Sequence, residues 1–323
     1  MARPEAELES LVRGVRAGEH EAISAALAHV EDTRPEAFEL QRRLLGRLEA
    51  ETPRERAVVG LTGPPGAGKS TLAGRLIARW LEAGRSVGMV AVDPSSRRSG
   101  GGLLGDRARL RFPPGARVFV RSLAARDQLG GLAPAARAAV AVLRAAFDWV
   151  VVETVGVGQS EIDVETVADT VVLLLQPGSG DSLQFMKAGI LEIPDVLVVN
   201  KWDLGPLAER TRADLESWLG LSRLEPGAWR PPVIGASGET GLGVAQLGAA
   251  IEAHRAHLAQ AGLERRRARG RAAWALELFA RRYGSAGVER AGGTAEIERV
   301  CAETPGSALD AFSALAKRAG LAS

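Results

Sequence analysis

The run Val58-Val59-Gly60-Leu61-Thr62-Gly63-Pro64-Pro65-Gly66-Ala67-Gly68-Lys69-Ser70-Thr71 constrains the fold of this chain more than any other stretch. An apolar segment ends in a glycine-rich turn. The turn opens into Leu72-Ala73-Gly74-Arg75-Leu76-Ile77-Ala78-Arg79-Trp80-Leu81, whose apolar residues recur at helical spacing. Strand, loop and helix follow in that order, and the loop spells G-x-x-x-x-G-K-S. Gly63, Gly66 and Gly68 reach backbone angles closed to other residues and, with Pro65 and Ala67 between them, let N–H groups approach phosphate oxygens. The helix start at Ser70 and Thr71 adds its dipole. Lys69 reaches the β- and γ-phosphates as a point charge, and the Ser70 hydroxyl is a candidate ligand for Mg2+. The expected ligand is a nucleoside triphosphate.

A second segment selects the base. The apolar run Val196-Leu197-Val198-Val199 ends in Asn200-Lys201-Trp202-Asp203. In P-loop proteins an N-K-x-D tetrad at a strand end places an aspartate carboxylate, here Asp203, to accept from guanine N1–H and the 2-amino group. Adenine has neither donor, so a site built around that carboxylate rejects it. The Lys201 stem packs on the base and Asn200 ties loops together. Downstream, Gly235-Ala236-Ser237-Gly238 follows another strand, where backbone N–H groups of Ala236 and Ser237 can bind guanine O6. The expected nucleotides are therefore GTP and GDP.

A third group bears on the reaction. Trp149-Val150-Val151-Val152 ends in Glu153-Thr154-Val155-Gly156-Val157-Gly158-Gln159-Ser160-Glu161. Glu153 falls where magnesium and its waters are held, and the Gly156 N–H can reach the γ-phosphate. Glu153 serves the metal through water or orients the attacking water; the residues leave both open. No glutamine directly follows Gly156, so intrinsic hydrolysis is expected to be slow, with Gln159 or a partner residue substituting. Asp93 ends another strand beside the P-loop and opens the stretch Pro94-Ser95-Ser96-Arg97-Arg98-Ser99-Gly100-Gly101-Gly102, which has the composition of a switch that orders on a bound γ-phosphate. Asp106 is a further candidate for the outer shell of the metal.

Length and composition frame these motifs. With 323 residues, 46% of them hydrophobic, the chain can bury a large core and carry smaller flanks. Residues 1–54 read as short amphipathic helices, 55–257 as apolar strands alternating with helices, and 258–323 as helices around a glycine-rich break at 284–293. Continuous Val/Ile/Leu runs interleaved with helices predict an α/β fold, a P-loop NTPase with a mostly parallel central sheet covered by helices on both faces, plus helical extensions at each end. No apolar window spans a membrane, and the acidic start lacks the pattern of a secretion signal, so a cytoplasmic protein with no membrane partner is expected. A net charge of +2 gives little support to a nucleic-acid partner, and the Arg-rich run Glu264 to Arg271 reads as a solvated helix face. One cysteine, Cys301, excludes an internal disulfide. Lysine is rare: of 41 basic residues only Lys69, Lys187, Lys201 and Lys317 are lysines, and the first three lie in segments with an expected function.

With these residues in view, the chain resembles the MeaB/ArgK family, the GTPases associated with methylmalonyl-CoA mutase. The resemblance is strongest in Gly63 to Thr71, Val92-Asp93-Pro94-Ser95-Ser96 with Gly105-Asp106, the run from Val152 to Glu161, and Asn200 to Asp203. It implies a homodimer with an N-terminal helical extension, a GTPase core and a C-terminal dimerisation arm. It also implies a chaperone that gates adenosylcobalamin loading into the mutase and protects the loaded enzyme. The segment Gln176 to Glu192 resembles the family's additional switch at Asp181, Gln184 and Lys187, and departs from it at Ser182 and Phe185. Trp202 stands where the family has Ala.

Three rival readings are weaker. A metallochaperone GTPase for nickel enzymes needs soft or imidazole ligands in its core, whereas Cys301, His20, His29, His254 and His257 all lie outside the core motifs. A kinase linked to amino-acid transport needs a base for an acceptor hydroxyl, which no motif supplies. A signal-recognition-like targeting GTPase needs a methionine-rich surface, and the chain has three Met.

Overall fold

The structure, a computed structural model, describes residues 2–93, 112–124, 134–154, 163–178, 193–221, 225, 227–304 and 306–321. In chain order the helices are α1 (Ala2–Ala17), α2 (His20–Val30), α3 (Phe38–Glu51), α4 (Lys69–Glu82), α5 (Pro134–Ala146), α6 (Pro206–Leu221), α7 (Val244–Ala261), α8 (Leu263–Arg290), α9 (Gly293–Glu303) and α10 (Ala308–Arg318). The strands are β1 (Ala57–Thr62), β2 (Val87–Asp93), β3 (Val118–Ala124), β4 (Trp149–Glu153), β5 (Thr170–Leu175), β6 (Val196–Val199) and β7 (Val233–Gly235). Two units are distinguished: an α/β unit of Ala57–Ala133 and Asp148–Gly262, and a helical unit of Met1–Arg56, Pro134–Phe147 and Leu263–Ser323.

The α/β unit holds one seven-stranded sheet in the order β3-β2-β4-β1-β5-β6-β7. Every pairing is parallel. Every residue of β1, β4, β5 and β6 is buried, as expected of strands covered on two faces. Alternation sorts their side chains. Val59, Leu61, Val151, Val172, Leu174 and Val198 join Leu72, Leu76 and Ile77 of α4 and Leu247 and Ile251 of α7 in one cluster. Leu173, Leu175, Leu197 and Val199 join Ala208, Leu215 and Leu219 of α6 in another. The expected parallel sheet with helices on both faces is what forms. The sequence pattern predicts a strand over Arg117 to Val120; β3 runs further, pairing with β2 along its whole length as far as Ala124.

β1 is central, and the chain leaves it toward β2 on one side and reaches β5 on the other. Such a reversal opens a crevice beyond the carboxyl ends of the strands, where ligands of open α/β sheets bind. The P-loop follows β1 at that edge, Asp93 and Glu153 end β2 and β4, Asn200 follows β6, and Ala236 follows β7.

In the helical unit, Arg43 and Arg47 of α3 pair with Glu5 of α1, and Arg42 pairs with Asp310 at 2.7 Å. Asp310 also closes a capping box with Ser307 at the start of α10. Phe279, Tyr283 and Phe312 form an aromatic cluster. The Arg-rich run lies on α8, where Arg267 donates to the Arg56 carbonyl at 2.7 Å. α8 is broken at Gly284, with φ 67° and ψ −172°. No helix among the described residues is long and apolar enough to cross a membrane.

Candidate nucleotide site

The loop after β1 is shaped by its glycines. Gly63 has φ 135°, and a Cβ there would stand 2.1 Å from the Leu174 carbonyl oxygen; Gly68 has φ 87°, and a Cβ there would stand 2.4 Å from Asn200 Nδ2. Both positions exclude a side chain on two counts, backbone angle and space. Gly68 is also the N-cap of α4, whose first N–H groups lack intrahelical acceptors and face an anion-binding position. Lys69 opens α4 and is 7% exposed. Its ammonium donates to the Gly63 carbonyl at 2.8 Å and the Pro64 carbonyl at 3.1 Å, which holds the charge against the inside of the loop. Pro65, Gly66 and Ala67 complete the turn, with Ala67 N–H donating to Pro64 O at 3.2 Å.

Register brings the next residue alongside. Leu61 of β1 pairs with Glu153 of β4, so the Glu153 carboxylate is delivered at the level of the loop. Ser70 Oγ donates to Glu153 Oε1 at 2.5 Å. Thr71 continues the first turn of α4. These two groups, Ser70 and Glu153, are hard oxygen donors, the chemistry Mg2+ prefers, and an ion that keeps waters and takes phosphate oxygens needs few protein ligands. Among the described residues no group of three or more His, Cys, Asp or Glu is placed to hold a metal. Asp93 ends β2 beside β4. Asp106, Gly156 and Gln159 lie outside the described residues, as do Asp181, Ser182, Gln184, Phe185 and Lys187.

Asn200, 2% exposed, joins three loops. Its backbone N–H donates to Leu175 O at 2.8 Å, its Nδ2 to Ala67 O at 2.6 Å, and its Oδ1 accepts from Gly238 N–H at 3.1 Å. The P-loop and the Ala236-Ser237 turn are thereby held by one side chain. That turn is closed on itself, with Ala236 N–H donating to Val199 O at 2.9 Å, Ser237 N–H to Leu242 O at 2.8 Å and Thr240 N–H to Ser237 Oγ at 3.1 Å, so the two amides expected to meet guanine O6 are instead bonded within the protein. Lys201 has φ 57°, the one positive φ outside glycine among the described residues, a conformation costing about 1–2 kcal/mol for an L residue. Its ammonium donates to Gln176 Oε1 at 2.8 Å. Asp203 is exposed on the short 3-10 turn Trp202–Leu204.

The structure thus brings the P-loop, Glu153, Asn200 and Ala236-Ser237 to one edge of one sheet. Two supports escape sequence reasoning. Arg75 of α4 donates to the Gly238 and Glu239 carbonyls at 3.1 and 2.6 Å, and Thr154 donates to Thr62 Oγ1 at 3.1 Å between the ends of β4 and β1. An arginine on a helix face and a threonine in a strand carry no pattern that marks them.

A parallel sheet with G-x-x-x-x-G-K-S between its central strand and the next helix, and N-K-x-D at another strand end, defines a P-loop nucleotide-binding protein of the guanine type. The chain belongs to the family described as methylmalonyl-CoA mutase-associated GTPase MeaB, whose model matches residues 23–287. A relative from Pyrococcus horikoshii, described by inference as a GTPase, is 41% identical over 273 residues, covering 81% of this chain and 83% of its own. The mouse mitochondrial methylmalonic aciduria type A homolog is 37% identical over 74% of this chain and 61% of its own. The Escherichia coli GTPase ArgK is 35% identical over 76% of each. Among solved structures, a LAO/AO transport system kinase superposes with a TM-score of 0.69 over 89% of both chains at 27% identity.

Proposed function

We propose that this MeaB-family GTPase uses Mg2+ to hydrolyse GTP to GDP and phosphate in the service of methylmalonyl-CoA mutase or a related adenosylcobalamin-dependent mutase. On this reading it gates loading of the cobalamin and protects the loaded enzyme, acting in the cytoplasm as a homodimer through the C-terminal arm 258–323. The observation that carries the nucleotide reading is Asn200, which links the Ala67 carbonyl to the Gly238 N–H. One side chain therefore sets the distance between the phosphate end and the base end of a bound nucleotide. The mutase enters from the family's description.

Each residue of the site has a chemical task on this reading. The loop N–H groups and the α4 N-terminus bind the phosphates, and the Lys69 ammonium stabilises charge that builds on them as water adds to the γ-phosphorus and its bond to the β,γ-bridging oxygen breaks. Ser70 and Glu153 would hold Mg2+, which when bound neutralises charge on the phosphate oxygens. The Asp203 carboxylate accepts from N1–H and the 2-amino group of guanine; the Ala236-Ser237 turn supports the base end through the backbone, its own N–H groups being given to Val199 O and Leu242 O.

The test combines pull-down with purified methylmalonyl-CoA mutase and single-turnover hydrolysis with and without it. Complex formation and faster hydrolysis are expected, by about a thousandfold where the partner inserts a cationic side chain. Failure to bind in either nucleotide state contradicts the partner. The product of the reaction distinguishes this activity from that of a transport-linked kinase, the name borne by the solved relative: inorganic phosphate is expected, not a phosphoprotein.

A further inference from the structure

We infer that Trp202 is a positioning residue that preforms the guanine-reading loop by wedging its indole over Gly235, so that the carboxylate of Asp203 is held in register with the Ala236-Ser237 turn before nucleotide binds. The inference rests on the guanine reading above and adds the residue that sets its selectivity.

Asp203 supplies the starting point. Its side chain is exposed and makes no hydrogen bond or ion pair among the described residues, so its placement depends on the backbone that carries it. That backbone is anchored through its neighbours. Trp202 N–H donates to Ala236 O at 3.0 Å, and Leu204 N–H to Lys201 O at 3.0 Å. The Trp202 ring packs against the cluster of Leu173, Leu175, Leu197 and Val199. It approaches Gly235 so closely that a Cβ there would lie 2.4 Å from Cδ2 and Cε3. The Arg212 guanidinium lies 6.0 Å from the ring centroid, within cation–π range, and is itself held by Glu216 at 2.7 Å. One indole is therefore fixed by the sheet, by α6 and by the strand that leads into Ala236. The residue after it reads the base. A bare backbone at position 235 is the condition for this seat, and a cavity of about 320 Å3 lined in part by Trp202, Leu242 and Gln246 gives a displaced ring somewhere to go without unfolding the sheet.

The experiment compares GTP with inosine triphosphate, which keeps N1–H and lacks the 2-amino group, by calorimetry on the full chain. Trp202→Ala is expected to weaken GTP about tenfold and to bring the GTP-to-inosine triphosphate ratio close to one. Trp202→Phe is expected to retain most of the preference. Gly235→Ala, which pushes the ring away from the other side, is expected to reproduce the Trp202→Ala phenotype, and it carries the test if Trp202→Ala fails to fold. Melting temperature is followed in each variant, because a merely structural role would lower it and leave the ratio unchanged. A wild-type chain that discriminates, with folded variants whose ratio is unchanged, overturns the clamp alone. A wild-type chain that does not prefer guanine overturns the base reading and the clamp together.

Discussion

Lys69 illustrates how much depends on one side chain. Its ammonium is buried against the Gly63 and Pro64 carbonyls, and a guanidinium has neither the size nor the geometry for that position. Lys69→Ala removes charge-assisted bonds worth about 1.5–3 kcal/mol, so calorimetry is expected to find GTP binding weakened roughly ten- to hundredfold; unchanged affinity contradicts the phosphate cradle. Cys301 is a residue of the opposite kind, with no place in the site. It is 1% exposed, and burial pushes its thiol up to about 11, partly opposed by Arg271. Since the folded pKa lies above the ordinary value of 9.0, the unfolded chain loses its proton first as pH rises. The contribution to stability is complete below about pH 9 and is lost as pH rises toward 11. Melting temperature is expected to fall across that window, and Cys301→Ala is expected to flatten the fall. An identical slope in the variant contradicts the assignment.

At the level of elements, much of the sheet is legible in the sequence and its fastenings are not. β1, β4, β5 and β6 are continuous apolar runs because both their faces are covered, and such runs announce themselves. β3 reads short because Arg121 and Ser122 interrupt it; as an edge strand pairing only with β2, it tolerates polar residues. α5 reads as one more helix filling a gap between strands, and it groups with the helical unit instead, a matter of tertiary packing on which periodicity is silent. Nor does the sequence disclose a repeated device at the amino ends of the strands. Asp148, Asp169 and Asp195 each precede a strand and accept from a backbone N–H beside the adjacent one: Ser86 at 2.8 Å, Val58 at 2.9 Å and Val171 at 2.7 Å. An aspartate before an apolar run reads as a turn signal. Asp169 is 2% exposed, so Asp169→Ala strands a buried donor and is expected to cost about 1–3 kcal/mol, measured as a lower urea midpoint with unchanged slope. A midpoint that does not move contradicts the structural role. The site itself is legible wherever a motif fixes backbone shape. The Asn200 bridge follows from N-K-x-D, whereas Arg75, lodged on the Gly238 and Glu239 carbonyls, follows from nothing local.

For the molecule as a whole, the α/β unit carries every described residue of the nucleotide site and the helical unit carries none of them. The family match extends across residues of both, from 23 to 287. Partner, metal and dimer all presuppose that the crevice at the carboxyl edge of the sheet takes guanine and refuses adenine. Titration of the full chain with GTP and with ATP in the presence of Mg2+ measures this directly. GTP is expected to bind about a hundredfold more tightly or better, because a carboxylate without its two donors penalises the wrong base, and Asp203→Asn is expected to reduce that margin. Equal affinity for the two triphosphates, or binding of neither, would contradict the account.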